Sequence, residues 1–305
     1  MKKVVITGSD GFVGRNLVRA WHNKYDLITI DLPPSLFDLK SHEYNPKIKT
    51  QHLSLDLRDE QYVLADYFSG VDTVIHLAAR TRINPSWHDY KDYYDTNVSA
   101  TQELYTLART KRVKRFVYFS SSSVYGNSSG ASKETDRLHP TNPYAISKAS
   151  AEMALQAEAL RGGPDLIIVR PFTMYGDFMA FGDNALAIAR FIDNSSKDIP
   201  LQLDAGGFQE RDYTHVNDTI QALDLIMEKA QHGDIFNVGT GRSISIKSIA
   251  DVISSLQVIT PARTGHIDKT LADISRLEAL GYRPKEDFFT WLQNFLDQYK
   301  LKKNF

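Results

Sequence analysis

Short runs of β-branched and aromatic residues alternate along the chain with longer segments in which apolar residues recur at helical spacing. The short runs predict six strands: Lys3–Thr7, Leu27–Ile30, Lys49–Leu55, Thr73–His76, Arg115–Ser120 and Leu166–Arg170. The longer segments predict four helices: Phe12–Asn23, Asp59–Phe68, Tyr90–Lys111 and Pro143–Leu160. Apolar strands that alternate with helices are typical of an α/β fold, a Rossmann-type doubly wound parallel sheet with helices on both faces.

The alternation ends after Arg170, where Pro, Gly and Asp residues separate shorter elements. We therefore expect residues 1–169 to form the doubly wound domain, and the rest of the chain to contain a smaller, more irregular mixed α/β lobe. Ligands of such sheets bind at the carboxyl ends of the strands, so the polar residues that directly follow strands are candidates for chemistry.

Composition narrows the class of protein. The 305 residues carry 36 Lys and Arg against 37 Asp and Glu, which excludes the broad basic surface of a nucleic-acid or anionic-membrane binder. The sequence has no cysteine, and no apolar run approaches the roughly 18 residues of a membrane span. We read Met1-Lys2-Lys3 and the residues after it as the start of a first strand rather than an export signal, and expect a cytoplasmic protein. The nine scattered histidines predict no metal site.

A G-x-x-G-x-x-G loop joins the first strand to the first helix, with glycines at Gly8, Gly11 and Gly14. Such glycines permit a tight turn and a close approach of the backbone to a pyrophosphate, and Phe12 and Val13 open a helix whose N-terminus attracts phosphate. Glycine loops also occur as plain turns. Asp31 ends the second strand, where a carboxylate binds an adenosine ribose and repels a 2′-phosphate, so the combination predicts NAD rather than NADP.

Four serines, Ser120 to Ser123, end the fifth strand, and no G-x-S-x-G elbow marks one of them as a hydrolase nucleophile. Asn142 and Pro143 then open a helix in which Tyr144 and Lys148 share one face. A neighbouring ammonium stabilises a phenolate, which makes a tyrosine usable as a base. The serine run alone also fits a solvated loop, and Y-x-x-x-K alone is frequent by chance; following the dinucleotide loop, the combination becomes specific.

These motifs together resemble the extended short-chain dehydrogenase/reductase family, in particular its nucleotide-sugar 4-epimerases such as UDP-glucose 4-epimerase. The resemblance runs along the chain through the glycine loop, Asp56-Leu57-Arg58-Asp59, His76-Leu77-Ala78-Ala79, Asn97-Val98, the serine run, Tyr144 with Lys148, Gln209 to Val216, and Asn237 to Gly241. It implies a chain that returns to the first domain at about 211–236, a sugar-nucleotide lobe of 170–210 and 237–305, and a homodimer.

The resemblance also implies roles for individual residues. The catalytic residues are Tyr144, Lys148 and Ser121. The cofactor-binding residues are Gly8, Gly11, Phe12, Val13, Gly14, Asp31, Asp56, Leu57, Leu77, Ala78, Ala79, Arg80, Asn97, Ser120, Tyr144 and Lys148. The substrate-binding residues are Ser86, Ser122, Thr173, Asn184, Arg211, Arg263 and Thr270. The implied cofactor is NAD and the implied partner is a UDP-sugar.

The implied activity is inversion at C4 of a UDP-sugar, glucose and galactose or their N-acetylamino forms, through a transient 4-keto intermediate. The related 4,6-dehydratases have Asp-Glu where this chain has Ser122-Ser123, so dehydration is not expected. Thr173 and the four serines look more like UDP-glucuronate 4-epimerases, although Ala180 replaces the arginine of that branch. The same motifs also fit an NAD(P)H-dependent 4-ketosugar reductase and, with less support, a dinucleotide-binding regulator that does no chemistry.

Overall fold

A computed structural model describes residues 1–33, 50–59, 61–128, 130–180, 187–262 and 267–303, with the backbone alone at 61, 62 and 300–303. Contacts divide the chain into two compact units. The first unit contains Met1–Val124, Leu138–Arg170 and Met227–Phe236. The second contains Tyr125–Arg137, Pro171–Ile226 and Asn237–Phe305.

Seven strands form the main sheet, in the order β10-β6-β5-β4-β1-β2-β3. Their bounds are β1 Lys3–Thr7, β2 Asp26–Asp31, β3 Gln51–Ser54, β4 Thr73–His76, β5 Arg115–Phe119, β6 Asp165–Pro171 and β10 Ile235–Val238. The neighbours among β1 to β6 pair in parallel. Val4, Val5 and Ile6 of the central strand β1 are fully buried, as a strand covered on both faces requires.

Helices of the first unit lie between these strands. They are α1 Phe12–Trp21, α2 Gln61–Tyr67, α3 Ile83–Ser86, α4 Tyr90–Tyr94, α5 Ala100–Thr110 and α6 Pro143–Ala159. Helix α5 turns Ala100, Leu104 and Ala108 inward at a spacing of four residues, which is the apolar stripe of a helix packed on a sheet. The predicted strands and helices of this unit, and the fold class, are thus confirmed, with one exception among the helices.

One predicted helix is interrupted. The pattern from Tyr90 to Lys111 predicts a continuous helix, but a π-helical turn at Asp95–Ser99 separates α4 from α5. The extra residue in this turn places the polar side chain of Asn97 in the interior. Single π turns inside helices often occur at functional sites, and average apolar periodicity does not reveal them.

The second unit contains two small sheets, ordered β11-β9-β7 and β12-β8. Their strands are β7 Thr173–Tyr175, β8 Leu201–Asp204, β9 Glu210–His215, β11 Ser243–Ser245 and β12 Gln257–Thr260. The helices are α7 Ala187–Ser195, α8 Val216–Lys229, α9 Ile246–Ile253, α10 Ser275–Ala279 and α11 Phe288–Lys303. The predicted smaller mixed lobe is therefore present. Within the described parts of the chain, no helix has the length and hydropathy needed to cross a membrane.

The strand order places the ligand edge of the main sheet. From β1 the chain continues to β2 and β3 on one side, and then crosses back to β4 on the other side of β1. The carboxyl ends of β1 and β4 therefore flank the point at which the strand order reverses, where open parallel sheets bind their ligands. The glycine loop follows β1 and Leu77 follows β4, so both lie at this edge.

Candidate active site

The glycine loop is a backbone cradle. Gly8 has a positive φ of 70°, and a Cβ built there lies 2.7 Å from the backbone nitrogen of Ala78. A Cβ at Gly14 would overlap the carbonyl oxygen of Gly8 and the backbone of Ser9. Side chains are thus excluded at both positions, and the loop can pack directly against the segment that follows β4.

The N-terminus of α1 fits a pyrophosphate. The residue that precedes this helix is Gly11, and no side chain caps its first turn. The first-turn N–H groups, which belong to Phe12, Val13 and Gly14, accordingly point at the loop without a side-chain acceptor. Uncapped N–H groups at the positive end of a ten-residue helix attract an anion. The cradle and this helix end together have the shape and charge that the phosphates of a dinucleotide need.

Asp31 lies at the end of β2, as the sequence predicts for a ribose-binding carboxylate. Its Oδ2 accepts the N–H of Asp10 at 2.7 Å and its Oδ1 accepts the N–H of Leu32 at 2.7 Å. Burial raises the pKa of the Asp31 carboxyl, and the two backbone hydrogen bonds oppose that shift. Each oxygen keeps a second lone pair, so the carboxylate can still accept a hydrogen bond from a ribose hydroxyl.

A chain of ion pairs connects two of the predicted cofactor residues. Arg58 binds both oxygens of Asp56 and also pairs with Asp92, which in turn pairs with Arg80. Hydrogen bonds from Arg58 hold the pKa of the Asp56 carboxyl below its usual value. The neighbouring Leu57 is buried. Asp56 and Arg80, two of the predicted cofactor residues, are thus connected through two residues to which the sequence reasoning gave no role.

Asn97 joins the loop after β4 to helix α6. Its Oδ1 accepts the N–H of Arg80 at 2.8 Å, and its Nδ2 donates to the Arg80 carbonyl and, at 2.9 Å, to Ser147 Oγ. Ser147 precedes Lys148 on α6. The predicted cofactor residues Leu77, Ala78 and Ala79 lie in the loop that Asn97 fixes. A buried amide that binds both segments positions the loop and the helix relative to each other.

Tyr144 and Lys148 lie on the first turns of α6. The Asn142 side chain accepts the N–H of Ala145 at 2.9 Å and caps this helix, with Pro143 at its first position, as predicted. Tyr144 and Lys148 are 9% and 3% exposed. Lys148 Nζ donates to the Phe119 carbonyl and lies 4.3 Å from the centroid of the Tyr118 ring. The ring face and the carbonyl oxygen are neutral groups that nevertheless favour a cation.

Burial dominates the electrostatics of this pair. It lowers the pKa of the Lys148 ammonium to about 7, whereas Glu152 acts in the opposite direction. It raises the pKa of the Tyr144 phenol, and the hydrogen bond with the Ser121 side chain counteracts that shift. The sequence pointed to Lys148 as the group that favours the Tyr144 phenolate. In the structure, the Ser121 side chain is the group that opposes the rise in the Tyr144 pKa.

The serine run presents several hydroxyls at the end of β5. Ser121 Oγ lies 2.9 Å from Ser123 Oγ and also accepts the Ser123 N–H at 3.2 Å. Ser120 is buried, and its hydroxyl has no hydrogen-bond partner within the described part of the chain. Ser122 begins a short 3₁₀ turn, Ser122–Tyr125. The structure therefore brings Ser121 to Tyr144, as predicted, and leaves the Ser120 hydroxyl available to a ligand.

Glu152, one turn after Lys148 on α6, forms a buried ion pair with Arg170. Arg170 Nε donates to one carboxylate oxygen at 3.0 Å and Nη2 to the other at 2.6 Å. Glu152 is 1% exposed and Arg170 is 3% exposed. Sequence reasoning missed Glu152, although its position four residues after Lys148 predicts that the two share a helix face.

The His76 side chain is hydrogen-bonded to Thr7, the residue directly before the glycine loop. Its Nδ1 lies 2.7 Å from Thr7 Oγ1 and its Nε2 lies 2.8 Å from Thr101 Oγ1. Thr7 Oγ1 also accepts the Ala78 N–H at 3.3 Å. Burial lowers the pKa of the His76 imidazole to about 3, so this ring is neutral. Its position beside the cofactor loop agrees with the sequence interpretation, and no group of potential metal ligands occurs among the described residues.

The predicted sugar contact Ser86 lies in α3, and Tyr93 lies in the following helix, α4. Ser86 is fully buried and donates to the Ile83 carbonyl at 2.6 Å, within α3. The Tyr93 hydroxyl donates to the Arg82 carbonyl at 2.6 Å, and its ring lies edge-on to Tyr144 with centroids 6.4 Å apart. Tyr93 thus forms one wall around Tyr144, which its sequence context does not indicate.

In the second unit, Arg211 is held by backbone carbonyls. It donates to the Ile267 carbonyl at 2.6 Å and to that of Glu210 at 2.8 Å. Burial lowers the pKa of this guanidinium, which is still an obligate cation at neutral pH. The next residue, Asp212, accepts four hydrogen bonds from three residues: Thr240 through N–H and hydroxyl, Gly241 and Ala272. Asp212 thereby fixes the strand that carries Arg211.

The remaining predicted substrate residues are placed separately. Thr173 lies on β7, partly exposed. Thr270 is 8% exposed, and its hydroxyl has no hydrogen-bond partner in the described chain. Its backbone, however, pairs with Glu210 and Asp212. Asn184 and Arg263 lie outside the described residues.

Comparison with known proteins gives a consistent result. The sequence model of the NAD dependent epimerase/dehydratase family matches residues 4–239. The chain is 28% identical to the uncharacterized UDP-glucose epimerase YtcB of Bacillus subtilis over 293 residues, which cover 91% of each protein.

Two solved structures are also similar to this chain. UDP-N-acetylglucosamine 4-epimerase from Methanobrevibacter ruminantium M1, solved with UDP-N-acetylmuramic acid, superposes with a TM-score of 0.88 at 27% identity and covers 99% of both chains. The dTDP-glucose 4,6-dehydratase DesIV from Streptomyces venezuelae, solved with NAD, has the same TM-score at 26% identity, over 99% of this chain and 98% of DesIV.

Proposed function

The chain belongs to the NAD dependent epimerase/dehydratase family, and we propose that within it the protein is a 4-epimerase that inverts C4 of a UDP-sugar. The observation that carries this proposal is the arrangement of buried Tyr144 and Lys148 with the half-buried Ser121, in the same unit as a cradle that fits NAD. These three side chains can take a proton from a sugar hydroxyl and return it.

In this mechanism Tyr144 acts as the base toward the C4 hydroxyl of the sugar. Ser121 donates a hydrogen bond to the same oxygen or to the phenolate, and the Lys148 charge on the same helix face stabilises the phenolate. NAD, when bound, would supply the hydride acceptor and donor for C4. The phenol then returns its proton to the oxygen of the 4-keto sugar, after the sugar has turned its other face to the site.

Three parts of the first unit would hold NAD: the N-terminus of α1, Asp31 and Lys148. The uncapped first turn of α1 would bind the pyrophosphate, Asp31 would accept the ribose hydroxyls, and Lys148 would donate to the nicotinamide ribose. An acid at position 31 favours NAD, because a 2′-phosphate would meet a second negative charge.

The residues that follow β5 favour epimerisation over dehydration. Elimination of water needs an acid and a base beside the sugar, and the 4,6-dehydratases supply them with Asp-Glu before the Val-Tyr-Gly motif. This chain has Ser122 and Ser123 there, and Ser123 is hydrogen-bonded to Ser121. Hydroxyls of ordinary acidity cannot drive the elimination, so a 4-keto intermediate can only be reduced again.

A hexuronate is the second candidate sugar. Thr173 and the four serines favour a UDP-glucuronate 4-epimerase, but Ala180 offers no charge to a carboxylate.

In the second unit, Arg211 has the charge and the fork geometry to bind a diphosphate. Thr270 is small enough to leave room for an N-acetyl group. Cytoplasmic location and a homodimer stay predictions.

Proton NMR of the purified protein with catalytic NAD tests the proposal. UDP-glucose, UDP-N-acetylglucosamine and UDP-glucuronate are supplied in separate samples. We expect the anomeric signals of at least one to convert to a mixture of gluco and galacto forms, with no net change in NADH absorbance. Three unchanged substrates would refute the proposal as stated. Stoichiometric consumption of NADH or NADPH with a 4-ketosugar would indicate the reductase instead.

A further inference from the structure

Ser121 Oγ has an unusual hydrogen-bond arrangement for a hydroxyl beside a catalytic base. It accepts the Ser123 N–H at 3.2 Å and lies 2.9 Å from the Ser123 hydroxyl. A serine hydroxyl has one proton and two acceptor lone pairs. If the Ser123 hydroxyl donates, both lone pairs of Ser121 are used, and Ser121 can act only as a donor.

The surroundings of Ser123 favour that direction. Ser123 is 9% exposed, so its hydroxyl is removed from most of the solvent. Within the described chain, Ser121 is the only hydrogen-bond partner of the Ser123 side chain. A buried hydroxyl with one partner is stabilised by donating to it, and Ser121 then has its own proton free for Tyr144, to which its side chain is hydrogen-bonded.

We infer that Ser123 is a positioning residue that makes Ser121 a dedicated hydrogen-bond donor toward Tyr144. A donor at Ser121 stabilises the phenolate form of Tyr144, whereas an acceptor at Ser121 would stabilise the phenol. The inference rests on the proposed function and extends it, because Ser123 occupies the position at which the dehydratases have an acid. Ser123 therefore stands in place of the acid that elimination of water needs, and it also prepares Tyr144 to act as the base in epimerisation.

Other groups that face Tyr144 do not replace this contact. The Tyr93 ring lies edge-on and disfavours the phenolate, and so does burial. Tyr118 lies under Lys148 on the neighbouring strand and is fully buried. Lys148 is the cation on the same helix, and Glu152 behind it is neutralised by Arg170. Ser121 is therefore the neutral donor that favours the charged form of Tyr144.

Titration of Tyr144 tests the inference without a sugar. The protein is labelled at the tyrosine Cζ, saturated with NAD and followed by NMR, with the Tyr144 signal assigned by its loss in Tyr144→Phe. We expect Ser123→Ala to move the titration midpoint roughly 0.5–1 pH unit higher. Turnover at neutral pH should fall by about three- to tenfold, because the phenolate fraction falls by the same factor.

Two further variants separate positioning from a structural effect. Ser123→Thr keeps the hydroxyl and should keep the wild-type midpoint. Ser123→Cys has nearly the shape of serine but is a weak donor, so it should behave like Ser123→Ala without opening a cavity. In a Ser121→Ala background, Ser123→Ala should change nothing, because its effect passes through Ser121.

An unchanged midpoint in both Ser123→Ala and Ser123→Cys overturns the inference. So does an equal shift in the wild-type and Ser121→Ala backgrounds, which would show that Ser123 acts independently of Ser121. Because the titration uses no sugar, its outcome is separate from the NMR search for the substrate. A protein that converts none of the three sugars can still show the Ser123 effect, and an active epimerase can lack it.

Discussion

Lys148 and Arg170 are both buried cations of the first unit, 3% exposed each, and the chain surrounds them in opposite ways. Arg170 binds both carboxylate oxygens of Glu152. Lys148 lies on the same helix as Glu152, one turn earlier, but within the described chain no carboxylate lies at ion-pair distance from it. Its partners are the Phe119 carbonyl and the Tyr118 ring.

This difference suggests that the Arg170 charge has a structural role and that the Lys148 charge is used in the proposed reaction. A bidentate carboxylate neutralises Arg170, so that cation contributes little field outside its pair. Neutral partners leave the Lys148 charge uncompensated, and burial lowers its pKa to about 7 as a result. In the proposed mechanism, the Lys148 ammonium is therefore available to the Tyr144 phenolate and to a ribose hydroxyl. Helix α6 thus carries Lys148 and, four residues later, the Glu152 carboxylate that pairs with Arg170 of β6.

The largest expected effect is on the reactive pair. Tyr144→Phe removes the hydroxyl that exchanges the sugar proton, and we expect turnover to fall by about 10²- to 10⁴-fold, the usual contribution of a general base. Steady-state kinetics on the substrate found by NMR measures it. Tyr105→Phe is the matched control, because it removes another buried tyrosine hydroxyl, one that donates to the Pro164 carbonyl. A similar loss in the control, or a loss below about tenfold in Tyr144→Phe, would contradict the assignment.

The structural pair should respond in stability. Glu152→Gln leaves Arg170 buried without its counter-charge, and removal of one partner from such a pair costs about 3–5 kcal/mol. Denaturant unfolding monitored by circular dichroism measures the change. The double variant Glu152→Met with Arg170→Met should recover most of the loss, since it leaves no unpaired charge. A cost below about 1 kcal/mol for Glu152→Gln would show that Arg170 is not held by this pair.

Lys148→Met sharpens the contrast, because it should cost activity but not stability. The pKa of Lys148 falls from its ordinary 10.5 to about 7 on folding, so between these values the unfolded chain binds more protons than the folded chain. Wild-type stability should therefore rise with pH across that window. The variant lacks this contribution, and its stability relative to wild type should be greatest near pH 7 and lower towards pH 10.

Unfolding curves of wild type and Lys148→Met at about pH 7.5 and about pH 9.5 test the sign. We expect the stability advantage of the variant to shrink as the pH rises. An advantage that grows with pH would mean that folding raises the pKa of Lys148, as a carboxylate partner would do. In that case Lys148 would be a paired charge like Arg170, and the contrast between the two cations would disappear.

The smallest effect concerns the cap that starts α6. Asn142→Ala removes the acceptor of the Ala145 N–H and should cost about 1 kcal/mol of stability. Asn142→Asp keeps an acceptor and serves as the control in the same thermal unfolding experiment. Equal stability of all three proteins would show that the cap does not hold the helix start that carries Tyr144.

Local patterns predicted much of this molecule. The glycine loop, Asp31, the helix cap and the Tyr144–Lys148 spacing are all encoded within a few residues, so sequence periodicity and turn chemistry reveal them. Six of the seven strands of the main sheet follow from their apolar runs for the same reason, whereas β10 was not predicted. The end of the second strand, as predicted from the sequence, was enough to place Asp31 correctly.

Pairings between distant segments could not be predicted. Glu152 meets Arg170 across 18 residues, and Asn97 reaches Ser147 across 50. Arg58 and Asp92 become partners only when the fold brings helix α4 to the turn after β3. The π-helical turn that directs Asn97 inward is invisible to average periodicity. The fold decides which buried charges are paired. The contrast between Lys148 and Arg170 therefore could not be predicted from the sequence.

The most direct test of a C4 epimerase follows the hydrogen at C4. The substrate carries deuterium at that carbon, and the reaction is run to equilibrium in ordinary water with catalytic NAD. We expect both epimers to retain the label, because hydride leaves and returns to the same carbon while Tyr144 handles only the hydroxyl proton. Loss of deuterium to the solvent during epimerisation would contradict the proposed mechanism, since the carbon would then exchange a proton and not a hydride.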